Sequence, residues 1–73
     1  MARNSAGSDR RDRLARVAGQ AVLVFGTEEK ATAWLQWPNR ALNGELPIRL
    51  LDTDVGARQV EDILGRIEHG IVS

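Results

Sequence analysis

The sequence predicts an all-α fold: a small bundle of two longer helices linked through a shorter helix and short helical turns. Three observations point there. Apolar residues recur at helical spacing in two stretches, Leu14 to Phe25 and Val60 to Ile71. Helix-stopping residues (Gly26, Pro38, Asn43-Gly44, Gly70) stand between or after those stretches. No stretch makes a convincing strand; Ala21 to Phe25 tolerates β structure but continues a helical stripe.

Residues 1–8, MARNSAGS, are small and polar and are expected to form a disordered arm. The first helix is predicted to start at Ser8 or Asp9, either of which can accept from the free first-turn amides. Asp9–Arg13 and Asp12–Arg16 are acid-first i,i+4 pairs, each worth about 0.2–0.5 kcal/mol. Leu14, Val17, Ala18, Ala21, Val22 and Phe25 form one apolar stripe. Gly26 should end the helix in a left-handed conformation.

Thr27 is read as the cap of the next helix, with Glu28 and Glu29 in its first turn, where the helix dipole favours negative charge. Ala31, Trp34 and Leu35 make its inner face. Pro38 disfavours helical geometry at Trp37, so the helix should stop there.

Asn43-Gly44 can signal a hairpin, but its flanks do not alternate, so a turn between helical pieces is expected. Pro47 suits a first helical turn, and Ile48, Leu50 and Leu51 predict one short helix that needs tertiary packing. Thr53 is read as the cap of the last helix. Val60, Ile63, Leu64, Ile67 and Ile71 line its inner face, while Arg58–Asp62 and Asp62–Arg66 lie opposite. Gly56 costs about 1 kcal/mol relative to alanine in a helix, which calls for a close approach by a backbone or a tryptophan ring. Gly70 should stop the helix and leave Ile71-Val72-Ser73 as an apolar tail.

Seventy-three residues allow one domain. A chain this short buries roughly 60% of its unfolded surface and is marginal without reinforcement. It has no cysteine and one histidine, His69, so thiolate zinc and disulfides are excluded and no metal site or cofactor is expected. Association with itself or with a partner is the remaining route to stability.

The formal net charge is zero, against a general phosphate-backbone binder. The charge is unevenly spread. Residues 1–16 hold five arginines and two aspartates; residues 45–73 hold six acids and three arginines. A partner facing the acidic half is expected to be basic. The run Arg10, Arg11, Arg13, Arg16 could meet DNA phosphates, but interleaved aspartates weaken that reading. No apolar run approaches the ~20 residues of a membrane span, and the start has no signal-type segment, so a cytoplasmic protein is the default.

Catalysis finds little footing. Asp52 and Asp54 bracket a cap; Glu61 and Asp62 are adjacent on a helix and do not converge. There is no nucleophile in a recognisable setting and no glycine-rich phosphate loop. The expectation is a non-enzyme.

One pattern runs through nearly the whole chain, from Leu14 to Ser73. Its residues are Phe25-Gly26, Ala33-Trp34-Leu35, Pro38-Asn39, Leu42 with Gly44, Pro47, and Leu50-Leu51-Asp52-Thr53. It continues with Gly56, Val60, Leu64, Arg66-Ile67 and Gly70. This resembles the toxin-binding domain of the Xre/MbcA/ParS antitoxin family. The specificity lies in the order of many weak elements, none of which is diagnostic alone.

The resemblance implies that residues 9–73 are an antitoxin module of a type II toxin–antitoxin system. Its partner would be a RES-domain toxin that consumes NAD or transfers ADP-ribose from it, and the antitoxin would block that active site. In the family the antitoxin's C-terminal end lies near the toxin's substrate pocket; here that position is Arg66 to Ser73. Many members also carry a helix-turn-helix region that binds operator DNA. Fewer than ten residues precede the first predicted helix, too few for such a region. DNA binding is therefore not expected of these residues, whether the chain is a stand-alone toxin-binding protein or a piece of a longer antitoxin.

The candidate toxin-binding residues are Arg58, Glu61, Arg66, Glu68, His69, Gly70, Ile71, Val72 and Ser73. Glu68 and the Ser73 carboxylate could meet arginines that a toxin keeps for the phosphates of NAD. The bland readings stand beside these: exposed helix charges as a solvated face, His69 as a helix-end cap, and the apolar tail folded on its own core. Trp34 reads as core; Trp37 stays open between core edge and interface. A homodimer or a toxin–antitoxin hetero-oligomer is expected. The alternative function is a dimerisation or adaptor module of a transcription regulator.

Overall fold

A computed structural model describes residues 6–70. In order, these form helix α1 (Ala6–Phe25), helix α2 (Glu28–Leu35), the 3-10 turn η1 (Arg40–Leu42), the 3-10 helix η2 (Pro47–Asp52) and helix α3 (Asp54–Glu68). The fold is all-α, as the sequence predicts. Helices α1 and α3 pack against each other, with η2 against both and α2 laid on α1.

The helix ends follow local chemistry. Gly26 has φ 96° and its amide donates to the Val22 carbonyl at 2.7 Å, closing α1. The Thr27 hydroxyl accepts from the Lys30 amide at 3.1 Å and starts α2. Helix α2 ends at Leu35, short of Trp37, with Gln36 as its cap residue. The Thr53 hydroxyl accepts from the Gly56 amide at 3.0 Å and starts α3; Gly70, at φ 72°, follows its cap residue His69.

Helix α1 begins at Ala6, ahead of the expected Ser8 or Asp9 start. The reason is tertiary: Arg10 and Arg13 bond to the end of η2 and the start of α3, which anchors the leading turns beyond their own propensity. The same bonds displace the predicted i,i+4 pairs. Arg13 reaches Asp54 at 3.1 Å and Arg16 reaches Glu61 at 2.6 Å, rather than Asp9 and Asp12. Among the described residues, ion pairs run between elements and not along one helix.

The link is 3-10 in character. Asn43 has φ 60° and Gly44 φ 84°, so this pair does make a tight reversal between helical pieces. An isolated antiparallel bridge joins Asn39 to Glu45 around it, a piece of hairpin geometry the flanking sequence did not announce. The Asn39 amide donates to the Glu45 carbonyl at 2.9 Å, and the Asn39 side chain accepts from the Ala41 amide at 2.9 Å.

The core is Val17 and Ala21 of α1, Ala31 and Leu35 of α2, Leu42 and Leu51 of the link, and Ala57, Val60 and Leu64 of α3. Trp34 packs on its edge, with its ring centroid 5.6 Å from that of Phe25. Trp37 is 73% exposed, which decides against a place in this core. Gly56 is buried under a backbone: a Cβ there would overlap the Leu50 carbonyl, so the close approach is by the chain and not by a tryptophan.

Candidate functional site

The candidate residues gather on α3, so the site begins with what orients that helix. Thr53 both ends η2 and caps α3, leaving no slack between them. Gly56 lets the first turn of α3 press on the Leu50 carbonyl. Arg13, only 12% exposed at its side chain, spans the junction. Its Nε donates to the Leu51 carbonyl at 2.7 Å, Nη2 to the Asp52 carbonyl at 2.8 Å and Nη1 to the Asp54 carboxylate at 3.1 Å. A planar guanidinium can serve these acceptors at once; an ammonium cannot.

With Gly56, Ala57, Val60 and Leu64 buried, the opposite side of the helical register faces outward. Val55, Arg58, Gln59, Asp62, Arg66 and His69 are all exposed. Glu68 and Gly70 are exposed at the far end, and Ile67 is 42% exposed. Three shallow grooves adjoin along this face. One of about 360 Å³ lies between the η1 region and α3 and includes Leu42, Asn43, Ile63 and Arg66. One of about 470 Å³ is bounded by Glu61, Asp62, Gly65, Arg66 and His69. One of about 520 Å³ includes Arg16, Arg58, Glu61 and Asp62.

Arg58, Glu61, Arg66 and His69 therefore share one continuous surface. Glu61 differs from the others. It is half-buried, its carboxylate receives Arg16 Nε at 2.6 Å, and its carbonyl receives Gln20 Nε2 at 3.3 Å. Hydrogen bonding to the Glu61 carboxylate, and then its charge, hold the Arg16 guanidinium above its ordinary pKa. Glu61 is thus engaged within the chain. Ile71, Val72 and Ser73 lie outside the described residues. Asp62 and Gln59 line the first of these grooves but are not among the candidate residues of the sequence reading, which took Asp62 as an ion-pair partner of Arg58 and Arg66 and as an acid that does not converge with Glu61. Their signal was available: they share the outward register with Arg58 and Arg66.

The arginine run of α1 is also largely committed. Arg10 pairs with Asp52 at 2.6 Å, Arg13 with Asp54 and Arg16 with Glu61, so three of its four members face internal carboxylates. Among the described residues no group of three metal-ligating side chains comes together, and no buried side-chain nitrogen or oxygen lacks a partner. No helix among them is long and apolar enough to cross a membrane.

An oriented helix presenting an open, mixed-charge face on a thin all-α core defines a protein-interaction module. Comparison with known proteins specifies which kind. Residues 20–70 match the antitoxin Xre/MbcA/ParS C-terminal toxin-binding domain, and the chain belongs to that family. Antitoxin Xre of Photorhabdus laumondii is 46% identical over 67 residues, covering 90% of this chain and 45% of that protein. Antitoxin Xre of Yersinia enterocolitica is 42% identical over 67 residues with the same coverage, and that of Pseudomonas putida 40% identical over 63 residues. The chain spans less than half the length of these curated relatives.

Proposed function

We propose that the chain is the toxin-binding part of an antitoxin that neutralises a RES-domain toxin by covering its NAD pocket with the carboxyl-terminal end of α3. The observation that carries this is the match of residues 20–70 to a family described as toxin-binding. The exposed face of Arg58, Arg66, Glu68 and His69, ending at Gly70, is consistent with it. The mechanism is exclusion: the helix end and residues 71–73 occupy the pocket, and the Glu68 carboxylate meets cations that otherwise hold the phosphates of NAD. The chain contributes no bond-making chemistry.

Co-expression tests the reading. The reading expects the toxin gene beside this one to arrest growth alone, and this chain to restore growth and co-purify with the toxin. Deleting Ile71 to Ser73 should weaken neutralisation while the chain stays folded. A neighbour that is harmless alone, or a chain that neither binds nor rescues, would turn the assignment toward an adaptor module of a transcription regulator.

A further inference from the structure

Among the described residues, every ion pair leaves residues 10–16 of α1 and lands on the last residue of η2 or on α3. Arg10 reaches Asp52, Arg13 reaches Asp54 and Arg16 reaches Glu61. The donors stand three residues apart and so follow one side of the helix. Apolar anchoring starts later. Asp9 to Asp12 are exposed, Leu14 is half-buried, and Val17 is the first fully buried side chain of α1 among the described residues. The family match begins at residue 20, so the donors lie outside it and the acceptors inside.

We propose that the leading turns of α1, through Arg16, are a strap held by charge across the η2–α3 corner, and that the strap opens without unfolding the core. Arg13 is its pivot. Its side chain is 12% exposed and two of its three bonds go to backbone carbonyls, so salt screens it poorly. Arg10 and Arg16 are its releasable holds, 45% and 57% exposed at the side chain, and dissolved ions reach both pairs. The screening length falls from about 10 Å at 0.1 M salt to about 3 Å at 1 M. Opening takes Arg10 off Asp52 and Arg16 off Glu61, while Val17, Ala21, Val60 and Leu64 keep α1 and α3 together. Ionic strength, or a competing carboxylate-rich partner, thereby sets how firmly α1 is held to Asp52 and Glu61. The inference does not depend on which toxin the chain meets.

Amide hydrogen exchange on the whole chain tests it, comparing residues 10–14 with residues 60–64 at low and at high sodium chloride. The strap amides should exchange about two- to tenfold faster at high salt while the α3 core amides hold. The Arg10→Gln, Arg16→Gln double variant should show fast strap exchange at low salt and no further response. Arg16→Glu combined with Glu61→Arg should regain protection that Arg16→Glu alone loses. Strap amides that track the core at both salt concentrations, or a double variant with native protection, would overturn the proposal.

Discussion

Gly56 lies directly against the backbone of Leu50, close enough that a Cβ on it would overlap the carbonyl oxygen and sit 2.9 Å from the carbonyl carbon. The obstacle is main chain and cannot swing aside as a flexible side chain does. Gly56→Ala gains about 1 kcal/mol of helix propensity. Relieving the overlap requires η2 to move off α3, at a cost of about 1–3 kcal/mol or more. Net destabilisation is expected, read as a lower midpoint in thermal unfolding. Gly19→Ala is the matched control. A Cβ there meets nothing within 4 Å, and α1 is helical at that point, so the midpoint should rise by several degrees.

The arginines of α1 differ in burial, and their losses should differ accordingly. Arg13→Ala strips partners from the carbonyls of Leu51 and Asp52 beside a core residue and should cost about 1.5–3 kcal/mol in urea unfolding. Arg13→Lys should recover little, because one ammonium cannot reproduce three directed bonds. Arg10→Ala removes one half-exposed pair and should cost less than about 1 kcal/mol. Equal costs at the two positions would contradict the burial argument.

The contrast between Gly56 and Arg13 also marks how far the sequence could be read. Signals that act within one turn were legible: the Thr27 and Thr53 caps, the Gly26 and Gly70 stops, and the Val60–Leu64 stripe all appear where spacing put them. Gly56 announced that something approaches, and the choice between backbone and ring needed coordinates. Arg13 offered a favourable partner four residues away in Asp9 and instead took acceptors thirty-eight to forty-one residues on. Local pairing is worth only tenths of a kcal/mol, so a part-buried carbonyl outbids it easily, and nothing in the local pattern encodes that. The 3-10 form of the link and the Asn39–Glu45 bridge are likewise set by packing of segments too short to have a preference of their own. At the site, the outward register of α3 was legible, but the capture of Glu61 by Arg16 was not.

The two tryptophans should separate cleanly. Trp34 is half-buried against Phe25 and the core edge, so Trp34→Ala should cost about 2–4 kcal/mol. Trp37 is 73% exposed on a loop braced by the Asn39–Glu45 bridge, so Trp37→Ala should change stability by less than about 0.5 kcal/mol. Fluorescence gives a second reading. In Trp37→Phe the remaining indole should shift to longer wavelength on unfolding, whereas in Trp34→Phe the emission should move little because Trp37 already faces water.

Arg66 separates binding from folding on α3. It is exposed and lines two of the adjoining grooves, and among the described residues it makes no ion pair. Its loss therefore leaves the core untouched, and Arg66→Ala should keep the unfolding midpoint within the range of an ordinary surface change, about 0.5 kcal/mol. If the end of α3 enters the toxin pocket, the guanidinium becomes desolvated against the partner. Arginines in that position are among the side chains whose truncation costs most, on the order of 1.4 kcal/mol or more, which is tenfold in affinity. Arg40→Ala is the control, because Arg40 is also exposed but, although on η1, lines neither of the grooves that Arg66 lines. Titration calorimetry with the purified toxin should show the Arg66 variant at least about tenfold weaker and the Arg40 variant unchanged. The reverse ranking would move the contact from the end of α3 to the η1 link, within the same family-matched stretch.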